Sequence, residues 1–290
     1  MATTNNLTTT YAGEFAGKYV SAALLSGKTL AEGNITIKPN VKFKEVMKKV
    51  STDDIVKDAS CDFDATSTLT LTERILTPEE FQVNLQLCKK DFRSDWDAIS
   101  MGYSAFDNLP PSFSDFLIAH VADKVAQRME NNIWSGTNAN AGQFDGFTTT
   151  LTADGDVNDV AAGAVTSANV ITELGKIADA VPSAVYGSED LFIYVSNNIY
   201  RAYVRALGGF ATNVGAAGTD AKGTQWFNGG ALTFDGINIV MASGLANNTA
   251  VAAEKSNLFF GTGLMSDQNE VKVIDMADID GSQNVRVVMR

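Results

Sequence analysis

The sequence predicts an α+β fold, and three observations carry that prediction. Period-two alternation marks strands on both sides of an acidic stretch near residue 60, again after Pro78, and again in the last third of the chain. One long stripe of apolar residues at helical spacing, Phe113 to Ile133, lies between them. The second half mixes helix and strand signals without a βαβ rhythm, and nothing repeats at solenoid periods. A chain of 290 residues suffices for one large domain or two modest ones, with a substantial core.

Met1–Thr10, rich in Thr and Asn, reads as a polar arm. Phe15, Tyr19, Val20, Ala23 and Leu24 then fall near helical spacing, with Gly13 and Gly17 weakening the helix and Gly27 stopping it. Over 34–76 the pattern changes. Ile35 and Ile37 alternate with Asn34, Thr36 and Lys38; Val41 and Phe43 alternate with Lys42 and Lys44; Leu69 and Leu71 alternate with Thr68, Thr70 and Thr72. Between them lies an acidic middle holding Asp53, Asp54, Asp58, Asp62 and Asp64. This predicts a long two-stranded excursion, which is marginal in water alone and needs something to lie on.

After Pro78, Phe81, Val83, Leu85 and Leu87 occupy one strand face and Gln82, Asn84, Gln86 and Cys88 the other. Pro110-Pro111-Ser112 supplies a breaker and an N-cap candidate, with Asp115 three residues on. Phe113, Phe116, Leu117, Val121, Val125, Met129 and Ile133 trace a helix over 112–134 that Gly136 ends. Such a rod is roughly 33 Å long. Val170, Leu174, Ile177, Ala178 and Val181 form a helix face ended by Pro182, and Leu191–Val195 reads as a buried strand. Ser196 or Asn197 caps a helix through Ile199, Tyr200, Tyr203 and Leu207. Residues 208–230 hold seven glycines and read as a long loop. Leu232 and Phe234, an Asp235-Gly236 turn, then Ile237, Ile239 and Met241 predict a hairpin. Val271 and Val273, a loop at Asp280-Gly281, and Val285, Val287 and Met289 close the chain as strands.

The composition excludes much chemistry. With 22 Lys and Arg against 34 Asp and Glu, the net charge of −12 disfavours a general nucleic-acid binder. One histidine and two cysteines exclude a His-rich zinc site, a disulfide framework and a four-cysteine cage. No apolar run approaches the ~20 residues of a spanning helix, and the N-terminus lacks a signal-peptide pattern, so a product soluble in the cytosol is expected. The glycines of 208–230 follow a helix and precede none, which is the wrong context for a phosphate loop. Asp154-Gly155-Asp156-Val157-Asn158-Asp159 opens like a calcium loop but has Asp159 where Gly is needed and Val165 where Glu is needed, so it reads as an acidic turn. His120, mid-helix and without a nucleophile elbow, reads as a packed histidine. No cofactor or metal is expected. One charge feature stands out: Lys38, Lys42, Lys44, Lys48 and Lys49 against Glu45 make residues 38–49 basic in an acidic chain. Two readings stay open, a solvated strand edge kept soluble by lysines and a basic arm that docks on an acidic surface of another copy.

Three segments carry a likeness to a known family: Leu76 to Leu85, before the helix; Val125 to Gly136 running into Phe144-Asp145-Gly146-Phe147; and Phe234 to Val240. In these and in the order of its parts, the chain resembles the major capsid proteins of tailed phages, whose Hong Kong 97-type fold is shared with encapsulin shells. The resemblance implies an N-terminal arm (1–30), an extended loop (31–76), a peripheral domain (77–160) with its spine helix at 112–134, an axial domain (161–269), and C-terminal strands (270–290) returning to the peripheral domain. It implies a non-enzymatic shell protein that self-assembles through hexamers and pentamers into an icosahedral head around double-stranded DNA. The lysines Lys38, Lys42, Lys44, Lys48 and Lys49 would lie in intersubunit contacts of the extended loop. Gly208, Gly209, Gly215, Gly218 and Gly223 would lie toward the capsomer centre. Portal and scaffold or cementing proteins would be partners, DNA would be touched only weakly and non-specifically, no membrane would be involved, and the product of the host cytoplasm would end in the virion. The fused scaffolding segment of some relatives is expected to be absent. The lysine–asparagine cross-link of others has no residue-by-residue match here and is not carried over. The alternatives are an encapsulin-like compartment shell and, from another class, a hydrolase using paired carboxylates.

Overall fold

The structure, a computed structural model, describes residues 28–59, 61, 65, 67–92, 111–207, 232–262 and 271–289. In chain order these form α1 (Lys28–Ala31), β1 (Thr36–Lys38), β2 (Glu45–Thr52), β3 (Leu69–Leu76), β4 (Val83–Cys88), α2 (Lys89–Phe92), α3 (Pro111–Ser135), α4 (Phe147–Thr152), α5 (Val170–Ala180), β5 (Leu191–Val195), α6 (Asn197–Leu207), β6 (Leu232–Phe234), β7 (Ile237–Met241), β8 (Ala250–Glu254), β9 (Phe259–Gly261), β10 (Val271–Asp275), α7 (Ala277–Asp280) and β11 (Asn284–Met289).

Two sheets and the long helix build the body. The first sheet runs β6-β7-β5-β8. Its central strand β5 reads Leu-Phe-Ile-Tyr-Val without a polar residue because both of its faces are covered. Leu191, Ile193 and Val195 face α5 and α6, packing on Val170, Leu174, Ile199 and Tyr203. Tyr194, from the opposite face, packs with Ile133 and Trp134 at the end of α3. The second sheet, β10-β11-β4, is antiparallel and lays Val285 and Val287 against Leu117 and Val121 of α3. The long helix therefore joins two cores, one near each end. Twenty-five residues give it about 37 Å, enough to reach both. At the edge of the second sheet, the buried Lys89 forms an ion pair with Asp275 that ties α2 to β10.

Several expectations hold element by element. The Asp235-Gly236 turn joins β6 to β7 with φ of 50° and 81°, the doubly positive geometry of a type I′ hairpin turn. The helices of 170–180 and 197–207 and the strand of 191–195 stand where periodicity puts them. Others shift. The long helix starts at Pro111, so Ser112 lies in its first turn rather than capping it; proline's fixed φ suits the first helical position.

Asn34–Lys38 is not part of the hairpin. Thr36–Lys38 pairs in parallel with Phe259–Gly261 instead, because Ile35 and Val41 are buried in the body at 3% and 4% exposure. The hairpin proper is β2 with β3. The absence of a βαβ rhythm also needs correction: β5 and β7 are parallel, with α6 between them in the chain. The local hairpin signal of β6–β7 hid this because it says nothing of β7's other neighbour. Strand β8, Ala-Val-Ala-Ala-Glu, carries no alternation and escaped prediction altogether. The expected arm and helix of 1–25 and the glycine-rich loop of 208–230 lie outside the described residues.

Candidate interaction surface

The β2–β3 hairpin has little support from the other described residues of the subunit. Among the described residues β2 and β3 pair only with each other, over eight residues each, about 27 Å of extended chain. Side chains alternate faces and register partners share one, so the pairing sorts the hairpin into two surfaces. On one lie the pairs Val46–Ile75, Lys48–Glu73, Val50–Leu71 and Thr52–Leu69. Its apolar members are open to solvent: Val46 44%, Val50 57%, Leu69 63%, Leu71 62% and Ile75 55%. The only charges on this face oppose each other across the strands and cancel.

The other face carries Glu45–Leu76, Met47–Arg74, Lys49–Thr72 and Ser51–Thr70, and it turns toward its own subunit. Arg74 donates to the Asp154 carboxylate, and Lys49 lies 3.5 Å from that of Asp156. At the foot, Lys38 pairs with Glu45 at 2.7 Å, and Leu76 packs against Gly261, where a Cβ would come within 2.5 Å of its Cδ2.

The five lysines singled out in the sequence thus have different surroundings. Lys38 is held by Glu45 and lies 5.5 Å from the centre of the Phe259 ring. Lys49 reaches Asp156, and Lys48 opposes Glu73. Lys42 is exposed, and Lys44, also exposed, sits over the ring of its neighbour Phe43 at 5.8 Å. They do not converge on one patch. Gly208, Gly209, Gly215, Gly218 and Gly223 fall outside the described residues. Sequence reading missed the apolar face and the acidic turn's role as the partner of the opposite, basic face. The first was signalled by the continued alternation at Val46, Lys48 and Val50; the second had no local signal.

Below the hairpin the end of α3 is pinned by a buried network. Trp134, fully buried, packs on Phe147 and Tyr194 with ring centres 5.4 and 5.0 Å away, and its Nε1–H donates to the Thr29 hydroxyl at 2.9 Å. Thr29 in turn donates its hydroxyl and its backbone N–H to the carboxylate of Glu130, which is 1% exposed. Burial pushes the Glu130 carboxyl above the usual carboxylate range, while the bonds from Thr29 and the neighbouring Trp134 pull it partly back. A raised value in the folded state means stability that is complete below the unfolded value of 4.5 and is lost as pH rises through the folded one. Glu130→Gln keeps an acceptor for Thr29 but cannot ionise. Urea unfolding across this window is therefore expected to show the native chain losing stability relative to Glu130→Gln as pH rises; parallel curves would contradict it.

Among the described residues no group of three His, Cys, Asp or Glu side chains is placed to hold a metal ion, and no helix is long and apolar enough to cross a membrane. His120 is half-buried on α3. Both oxygens of Glu130 are engaged by Thr29, so this buried carboxylate serves as an anchor.

No protein-family model and no curated protein sequence matches the chain. Solved structures do. The capsid of a native GTA particle, computed with C5 symmetry, is 12% identical with a TM-score of 0.59, over 92% of this chain and 85% of that one. A structure from Mycobacterium phage Adephagia is 15% identical with a TM-score of 0.58, over 95% and 85%. One from Microbacterium phage Oxtober96 is 14% identical with a TM-score of 0.53, over 99% and 87%. Most of each chain takes part in these matches, so the chain shares the fold of these phage-capsid structures.

Proposed function

We propose that the chain is a structural subunit that self-associates into the closed head shell of a tailed phage, enclosing its double-stranded DNA. The observation that carries this reading is the hairpin face of Val46, Val50, Leu69, Leu71 and Ile75, exposed in a chain of capsid fold. An isolated hairpin gains stability when its apolar side is covered, and a second copy covering it makes a heterologous contact that closes under rotational symmetry. In Hong Kong 97 terms β2–β3 is the extended loop, and α3 is the spine of a peripheral domain. The strands β10 and β11 return to β4 in that domain, and the sheet around β5 with α5 and α6 is the core of the axial domain. The glycines from Gly208 to Gly223 would then face the capsomer centre, and Lys42, Lys44 and Lys48 would border the intersubunit contact.

The net charge of −12 suits a wall around packed DNA, since few cations are available for counterion release. In this reading catalysis has no part, the portal and scaffold or cementing proteins are its partners, and the virion is its destination. Electron microscopy of the purified chain and of particles from producing cells tests it. Hollow shells, with DNA in the native particles, are expected. Particles filled with a cargo enzyme would instead mean an encapsulin-like compartment, and a chain that stays monomeric at every concentration and salt would overturn the proposal.

A further inference from the structure

We propose that the acidic turn Asp154–Asp156 is an ionic latch that fixes the direction in which the β2–β3 hairpin leaves the body. The inference rests on the reading of that hairpin as an assembly arm, and it assigns the arm a control built into its own subunit.

The hairpin joins the body through residues 42–44 and 77–82, which are neither helix nor strand, and Leu76 packs against Gly261 at its foot, so these two connections are where it would turn. Beyond that foot, two side chains on its inner face reach the body. Arg74 and Lys49 engage carboxylates two positions apart in a single turn.

The turn itself is rigid. The second carboxylate oxygen of Asp154 accepts the Asp156 N–H at 3.2 Å, and the Asp154 N–H is held by the Leu151 carbonyl at 3.1 Å. It follows α4, which is bound to the end of α3 by Thr148 on the Trp134 carbonyl at 2.6 Å and Thr149 on the Gly136 carbonyl at 2.7 Å. A fixed acidic stop thus meets a movable basic face.

The strength of the latch follows from its exposure. Side chains of Lys49, Asp156 and Arg74 are 68%, 78% and 61% exposed, so these pairs are weak and salt-sensitive, and only Asp154, at 21%, is partly shielded. A weak latch on a hinged element leaves held and released directions close in free energy, which is what lets docking choose between them. While held, the ionic face looks inward and the apolar face outward. The lysine and arginine of the hairpin therefore serve orientation, and its valines and leucines serve contact.

The test uses the full chain with nitroxide labels at Cys61 and at Ile279→Cys, with Cys88→Ser removing the other thiol. Labelled chain is diluted with unlabelled chain, so that electron–electron double resonance reads only distances within one copy. Asp154→Lys with Asp156→Lys is expected to raise the released population about tenfold, as loss of two exposed pairs and their replacement by repulsion implies. Adding Lys49→Glu and Arg74→Glu is expected to restore the native distribution. Salt at ~1 M is expected to move the native chain in the same direction as the reversal but less far, because it screens the pairs without adding repulsion. Distances that stay the same through reversal and salt overturn the latch. So do distances that move on reversal but are not restored by the swapped charges. Because the measurement is made within one copy, a native chain that never forms shells would refute the shell reading and leave the distance result standing.

Discussion

Val50→Asp combined with Leu71→Asp is expected to abolish shell formation while leaving the subunit folded. The two residues are direct cross-strand partners, 57% and 62% exposed in the single subunit. Burying such side chains in a contact is worth about 1.5–3 kcal/mol each, and a carboxylate placed there adds a desolvation cost. A combined loss of ~5 kcal/mol per contact raises the concentration needed for assembly by more than a thousandfold. Within the subunit the same change lies on a solvent-facing strand surface, where strand propensities span about 1 kcal/mol and the two opposed carboxylates repel by a similar amount, which the separately packed body can bear. Sedimentation velocity and electron microscopy would read assembly, and circular dichroism would read the fold. Shells formed at native yield would remove the apolar face from the contact. Lys42→Glu with Lys44→Glu, in the same assay, weighs the ionic contribution. An effect disappearing at high salt would assign part of the docking to those lysines.

Trp134→Ala is expected to cost the body about 4 kcal/mol, at the upper end for a core truncation. For a chain of this size that is a fall in melting temperature of order 10 °C. The residue is fully buried, and its removal opens a cavity between Phe147 and Tyr194 while taking the Nε1–H from Thr29. The surroundings cannot collapse to fill it. A Cβ on Gly244 would already lie 2.1 Å from the Glu130 carbonyl oxygen, and one on Gly146 would lie 2.5 Å from that of Asn132, so the backbone around the helix end is at closest approach. Trp134→Phe, which keeps most of the ring packing, is expected to lose less than half as much. A thermal shift of only a degree or two for the alanine variant would mean that α3 is anchored elsewhere.

These two sites show how unevenly the molecule could be read beforehand. The end of α3 was legible: its stripe, its length and its stop at Gly136 are local properties, and the structure places the helix end one residue before that glycine. The β6–β7 turn was legible for the same reason, since Asp-Gly suits two consecutive positive φ values whatever surrounds them. That Trp134 would meet Thr29, 105 positions earlier, was not legible, and neither was the buried Glu130 between them. A carboxylate on a helix gives no sign of burial until its partners arrive.

The hairpin divides the same way. Sequence by itself determined that residues 34–76 contain a two-stranded excursion, that the chain is acidic with a basic stretch, and that imidazole and thiol chemistry is scarce. Tertiary structure decided which side looks inward, because Arg74 meets Asp154 across 80 positions and Lys49 meets Asp156 across 107. It also moved Thr36–Lys38 out of the hairpin and onto β9, and set β5 parallel to β7. Periodicity is written by neighbours a few residues apart, so one chain carries it alone. Pairing and facing depend on which distant surfaces exclude water together, and that choice exists only once the chain has closed on itself.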